Sequence, residues 1–218
     1  MESTIVDIGL FDVSSGKLIV SDPCYTQTIH DTAAAHIPAE NGKWMAVTER
    51  ANFDGWGNRI TKLMVWHTSI SSTSELLLEE LRQGGSVDSG QLGIFCSSIY
   101  PEGRETGEYG ELDTFYGQCC ASTYKRSLDL KSDELSAGII QNAGVCASSG
   151  FGDGGYPIEV AYRNGVAIAV IVTFIGENDT DEDDFYEDED GYEDGYEDLN
   201  DYEDQSEDED EDEGNLIN

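Results

Sequence analysis

The chain has 218 residues, with 46 acidic side chains against 11 basic ones and a formal net charge of −35 at neutral pH. Of the acids, 24 lie between positions 177 and 213, where there is no Lys or Arg, so residues 1–176 carry −11 and the remainder −24. Neither part has the clustered Lys and Arg that phosphate binding requires, which excludes direct nucleic-acid binding; the longest apolar run, residues 166–172, is far short of the ~20 needed to span a bilayer, and no basic head followed by an apolar run marks a secretory leader.

Residues 5–13 and 17–20 predict two strands separated by the turn signal Ser14-Ser15-Gly16. Residues 43–49 and 59–67 predict a hairpin across a longer loop, Asn52 to Asn58. Ser72-Thr73-Ser74-Glu75 ahead of Leu76, Leu77, Leu78 and Leu81 reads as a capping box opening a short amphipathic helix, with Gly84-Gly85 as its stop. Strands are expected at 91–96 and 138–147, and a second short helix at 111–125. Residues 158–162 alternate in polarity, Asn164-Gly165 suits a turn with two positive φ angles, and residues 166–174 are almost wholly apolar. That last run predicts a strand buried on both faces at the centre of a sheet. Strands with so little helix between them predict a mainly β (α+β) fold, a single sandwich or barrel-like domain over residues 1–176 with one or two short helices.

Four Tyr-Glu-Asp units follow, starting at Tyr186, Tyr192, Tyr196 and Tyr202, and then an unbroken acidic run over 207–213. Like charge at this density buries too little apolar surface to offset ~1–2 kcal/mol per residue of backbone ordering. Residues 177–218 therefore read as a disordered acidic tail. A calcium loop centred on Gly195 fails, because Tyr192 stands at its third position, where Asp or Asn is required.

The five cysteines are odd in number and form no CxxC pair. They read as reduced, mostly buried thiols of a cytoplasmic protein, or a nuclear one in a eukaryotic host. Three segments form a candidate cleft: Asp22, Cys24 and Tyr25 after the second strand; Asp88, Ser89 and Gly90 before the 91–96 strand; and Gly152, Asp153 and Tyr156 ahead of the last hairpin. If Asp22, Asp88 and Asp153 meet in a pocket, they suit a divalent cation or acid–base work. If they lie in separate turns, they cap those turns and the glycines supply backbone freedom. No residue pattern names a cofactor. The glycine segment lacks the GK[ST] ending of a phosphate loop and precedes a strand, not a helix. Cys24 as a nucleophile needs a base, for which His67 is the candidate. Trp44, Trp56, Trp66 and Tyr156 serve either a ligand pocket or the core.

A strand ending VSDPCY, then VDSGQLGIF, FYGQCC and SGFGDGGY entering a terminal hairpin together resemble the bacterial and phage-associated family called domain of unknown function 4241, over residues 16–174. The resemblance implies one domain with Asp22, Tyr25, Asp88, Gly90, Gly152, Asp153 and Tyr156 as hallmark positions, and it implies no activity. The acidic tail lies outside it. Three functions are in contention. The first is a non-catalytic binding protein whose segment 177–213 engages a basic protein surface. The second is a hydrolase or lyase with an Asp-lined site, with or without a metal ion. The third is a nucleic-acid-mimicking inhibitor of a defence or toxin protein.

Overall fold

A computed structural model describes residues 2–26, 33–71, 75–102, 111–123, 137–176 and 179. In chain order the elements are β1 (Ser3–Val13), β2 (Lys17–Ser21), β3 (Ala35–Pro38), β4 (Gly42–Phe53), β5 (Gly57–His67), β6 (Glu79–Glu80), β7 (Gly85–Val87), β8 (Gln91–Cys96), α1 (Phe115–Thr123), β9 (Ala137–Ile140), β10 (Gly144–Ser148), β11 (Gly154–Tyr156), β12 (Ile158–Arg163) and β13 (Val166–Thr173). The fold is mainly β. A six-stranded sheet runs β1-β4-β5-β13-β12-β6, a five-stranded sheet runs β3-β2-β8-β10-β9, and β11 pairs with β7. Pairing within both large sheets is antiparallel.

The inner faces of the two sheets share one apolar core. Phe11, Trp44, Leu63, Val65, Val160, Val170 and Val172 come from the larger sheet, and Leu18, Val20, Leu92, Ile94 and Val145 from the smaller. That arrangement is a sandwich, and neither sheet closes into a barrel. The turn Ser14-Ser15-Gly16 does bend the chain, but β1 and β2 are in different sheets, so it is a crossover and not a hairpin. The β4–β5 hairpin matches expectation with longer strands, because Gly55 and Gly57 take φ of 84° and 70° and tighten the connection. β13 is central and buried along its length, as its apolar run predicts.

The outer faces are covered differently. α1 lies over the smaller sheet, where Phe115 and Cys119 pack with Ile19, Phe95, Tyr100, Ile140 and Cys146. Two-sided cover explains why every residue of β8 is buried. On the larger sheet, Leu76 and Leu78 cover Ala161, Ile168 and Ala169. Here the helix expected from the capping box is corrected. Residues 76–78 have no regular structure, Leu77 is 89% exposed between its two partly buried neighbours, and Glu79–Glu80 join β12 as an edge strand. The alternation in, out, in is the period of an extended chain, and the outer face of β12–β13 needs that cover. Residues 72–74 of the proposed box lie outside the described residues.

The strand expected over 138–147 is two strands, β9 and β10, joined at Gln141 and Asn142, which take φ of 47° and 54°. Contacts to β1 hold that turn: Asn142 Nδ2 donates to Asp12 Oδ2 (2.9 Å), and the Asp12 amide donates to Asn142 O (2.8 Å). No helix among the described residues is long and apolar enough to cross a membrane. Residues 1–181 form one compact unit; the disorder expected of the tail concerns residues that, apart from 179, lie outside the described ones.

Candidate functional site

The three motif segments do gather at one end of the sandwich, where β2 and β10 end and β8 begins. Asp22 is fully buried and accepts four hydrogen bonds. Its Oδ1 takes the Cys24 amide (2.8 Å) and the Ser89 hydroxyl (2.6 Å), and its Oδ2 takes the Asp88 and Ser89 amides (2.9 and 2.8 Å). The bond to Cys24 N is the turn-capping contact expected of Asp before Pro. The other three clamp the 87–90 turn to the end of β2.

Gly90 continues the linkage. Its amide donates to Asp153 Oδ1 (2.9 Å), and its carbonyl accepts from the Ser149 amide (3.0 Å). Its φ of 67° is one that only glycine adopts without strain. The glycine segment is stitched internally: the Gly152 amide donates to Ser149 O (2.8 Å), and the Tyr156 hydroxyl donates to Gly152 O (2.6 Å). Asp88 is exposed and accepts from the Tyr25 hydroxyl. Two of the three carboxylates are therefore spent on backbone amides and the third meets a phenol. Among the described residues no group of three or more His, Cys, Asp or Glu side chains is placed to hold a metal ion.

A cavity of about 230 Å³ opens beside this cluster, lined by Asn58, Arg59, Ile60, Gly90, Ser148, Ser149, Gly150, Phe151 and Gly152. None of the three aspartates lines it. Trp56, 56% exposed at the β4–β5 tip, stacks edge-on against Phe151, and Phe151 against Phe53. Of the other aromatics, Trp44 is core, Trp66 packs on the outer face of the larger sheet, and Tyr156 packs on Phe174.

Cys24 is half-buried and its thiol pKa is pushed well up, first by burial and then by Asp22 and Asp88. A thiol so disposed stays protonated at neutral pH, the reverse of what an activated cysteine needs. Its suggested base is elsewhere, since the His67 ring is engaged by Ser69, Asn41 and Glu40 at the far end of β5. The Tyr25 phenol is raised by burial and then by Asp88, and the Tyr116 phenol by burial and then by Cys120. Tyr116, from the FYGQCC segment on α1, stands against Ser89 and Cys120 and joins this cluster, although it was not among the candidate cleft residues.

Cys96 behaves oppositely. Burial raises its pKa, but the hydroxyls of Ser15 and Ser98 (3.1 and 3.0 Å from Sγ), with backbone bonds at Ser14 and Ser98, bring it from 9.0 down to about 6. A folded-state value below the unfolded one means that the folded state holds fewer protons between the two. Cys96 therefore adds stability that is complete above about pH 9 and is lost as pH falls through about 6. The difference in 240-nm absorbance between the parent and Cys96→Ser should titrate near pH 6; a midpoint at or above the ordinary thiol value would show that burial outweighs the hydroxyls.

No family model matches the chain, and no curated protein and no solved structure matches it.

Proposed function

We propose that this is a binding protein of the cytoplasm, or of the nucleus in a eukaryotic host, whose segment 177–213 engages, without catalysis, a basic surface on a protein partner. The observation that carries the reading is charge: 24 carboxylates and no Lys or Arg in one continuous segment. Attraction from such a polyanion extends about a Debye length, ~8 Å at physiological salt, and raises encounter rates with basic surfaces. The β domain then serves as the carrier. Its motif aspartates favour this role over the hydrolase or lyase alternative, because Asp22 and Asp153 are committed to amides of neighbouring turns. A nucleic-acid mimic needs an ordered acidic face, and three of the described acids, Asp12, Glu49 and Glu40, are instead paired with Lys43, Lys62 and Arg163. The likeness to the domain of unknown function 4241 family brings no activity to this reading.

The test is affinity capture with the full chain and with a full-length variant carrying Asn and Gln in place of the acids of 177–213. Captured proteins should be basic, should elute as salt approaches 1 M, where the screening length falls to ~3 Å, and should be lost with the neutralised variant. The same partners retained by that variant, or binding indifferent to salt, would overturn the reading.

A further inference from the structure

At the other end of β5, roughly 27 Å along the strand from Arg59 at ~3.4 Å per residue, the polar atoms form a second arrangement. β5 closes into a tight turn in which the Ile70 amide donates to His67 O (3.1 Å). Within it Ser69 Oγ lies 2.7 Å from His67 Nδ1, and the Ser69 amide donates to the same nitrogen at 3.1 Å. An amide can only donate, so Nδ1 carries the lone pair and the ring proton sits on Nε2, which faces Asn41 O at 3.2 Å. Arg163 Nη2 is 2.6 Å from Ser69 Oγ, and guanidinium too can only donate. The Ser69 hydroxyl can then donate to His67 Nδ1, sharing its one lone pair with the Ser69 amide. Glu40 completes the group, with Oε2 2.6 Å from Arg163 Nη2 and Oε1 3.7 Å from His67 Nδ1.

The imidazole is held from every side. It is 9% exposed, Trp44 meets it edge-on at 5.9 Å between centroids, and a Cβ on Gly42 would come within 2.6 Å of Nε2. The Glu40 backbone is fixed by the hydrogen bond its amide donates to Ala167 O (3.0 Å). Ser69 itself is exposed. Nucleophile, lone-pair base, base-orienting carbonyl and a carboxylate beside the nascent imidazolium are the parts of an activated serine.

We propose that Ser69, with His67 as general base and Arg163 beside its oxygen, is a nucleophilic site for carboxylic esters, a function separate from the acidic segment. Ser69 Oγ forms a bond to the ester carbonyl carbon while its proton passes to His67 Nδ1. Glu40 stabilises the imidazolium, and Arg163 donates to the developing oxyanion. The ester C–O bond then breaks and His67 returns the proton to the departing alcohol; water, deprotonated by His67, next bonds to the acyl carbon, the bond from that carbon to Ser69 Oγ breaks, and His67 returns the proton to Ser69 Oγ as the acid leaves.

The test uses a fluorophosphonate on the full chain with peptide mapping. Attack on phosphorus expels fluoride and leaves a phosphonyl ester at Ser69. Labelling should concentrate at Ser69, vanish in Ser69→Ala, and slow ~10²-fold or more in His67→Gln, the scale of a lost general base. Mapping of the unaltered protein stands even if His67→Gln fails to fold. No label at Ser69, or a rate equal to that of the other exposed serines, overturns the proposal.

Discussion

Replacing Asp22 by alanine is expected to destabilise the fold by about 3–5 kcal/mol in urea unfolding of the full chain, whereas Asp88→Asn costs under about 1 kcal/mol. The two residues belong to the same cluster and the same candidate cleft, but their surroundings differ. Asp22 is 0% exposed, and its removal strands the amides of Cys24, Asp88 and Ser89 and the Ser89 hydroxyl. A buried donor left without an acceptor costs ~1–3 kcal/mol, and water entering the vacated space recovers only part of that over four donors. Asp22→Asn keeps one acceptor oxygen but turns an amide NH₂ toward donors, so it should fall between alanine and the parent. Asp88 is exposed, and its Tyr25 partner can turn to water. Equal, small losses for Asp22→Ala and Asp88→Asn would show that the carboxylate of Asp22 does not hold the 87–90 turn.

The same contrast marks where sequence and structure part. Period-two alternation and Asn164-Gly165, with φ of 54° and 81°, located the β12–β13 hairpin because the signals are local. The β9–β10 turn went unseen because its two positive-φ residues are Gln141 and Asn142, and what stabilises them is Asp12, some 130 positions away. Leu76, Leu77 and Leu78 satisfied a helical pattern and an extended one alike, and the choice lay with the exposed face of β12–β13. For the candidate site, the grouping of Asp22, Asp88 and Asp153 was legible as three turn motifs at strand ends. Their use as clamps was not, because it depends on which amides of distant loops face them. The surroundings of His67 were even less legible, since Asn41, Ser69 and Arg163 form no linear motif and meet only through the β4–β5–β13–β12 order of the sheet.

Phe95→Ala should cost about 3–5 kcal/mol, and Gly93→Ala, ordinarily a mild change in a strand, about 3 kcal/mol. The two changes should not add. On β8 the residues are two apart and so share the outer face, under α1. The Phe95 ring leans back along the strand over Gly93, and a Cβ there would overlap its Cζ. The ring has no room to retreat. It meets Phe115 at 5.0 Å and Tyr100 at 5.6 Å between centroids, and across the ladder Gly144 is itself so close that a Cβ would lie 2.8 Å from Phe95 Cδ1. Gly93 thus provides the space for the residue that joins the smaller sheet to α1. Once the ring is gone, a methyl at position 93 meets no obstacle, removes some unfolded-state freedom and fills part of the cavity. The double variant is therefore expected to be no less stable than Phe95→Ala alone, a coupling of about 2–3 kcal/mol. Urea midpoints of the four proteins in the cycle decide the point. Additivity to within about 0.5 kcal/mol would mean that Gly93 and the ring are independent, and that α1 is held over the sheet by something other than this packing.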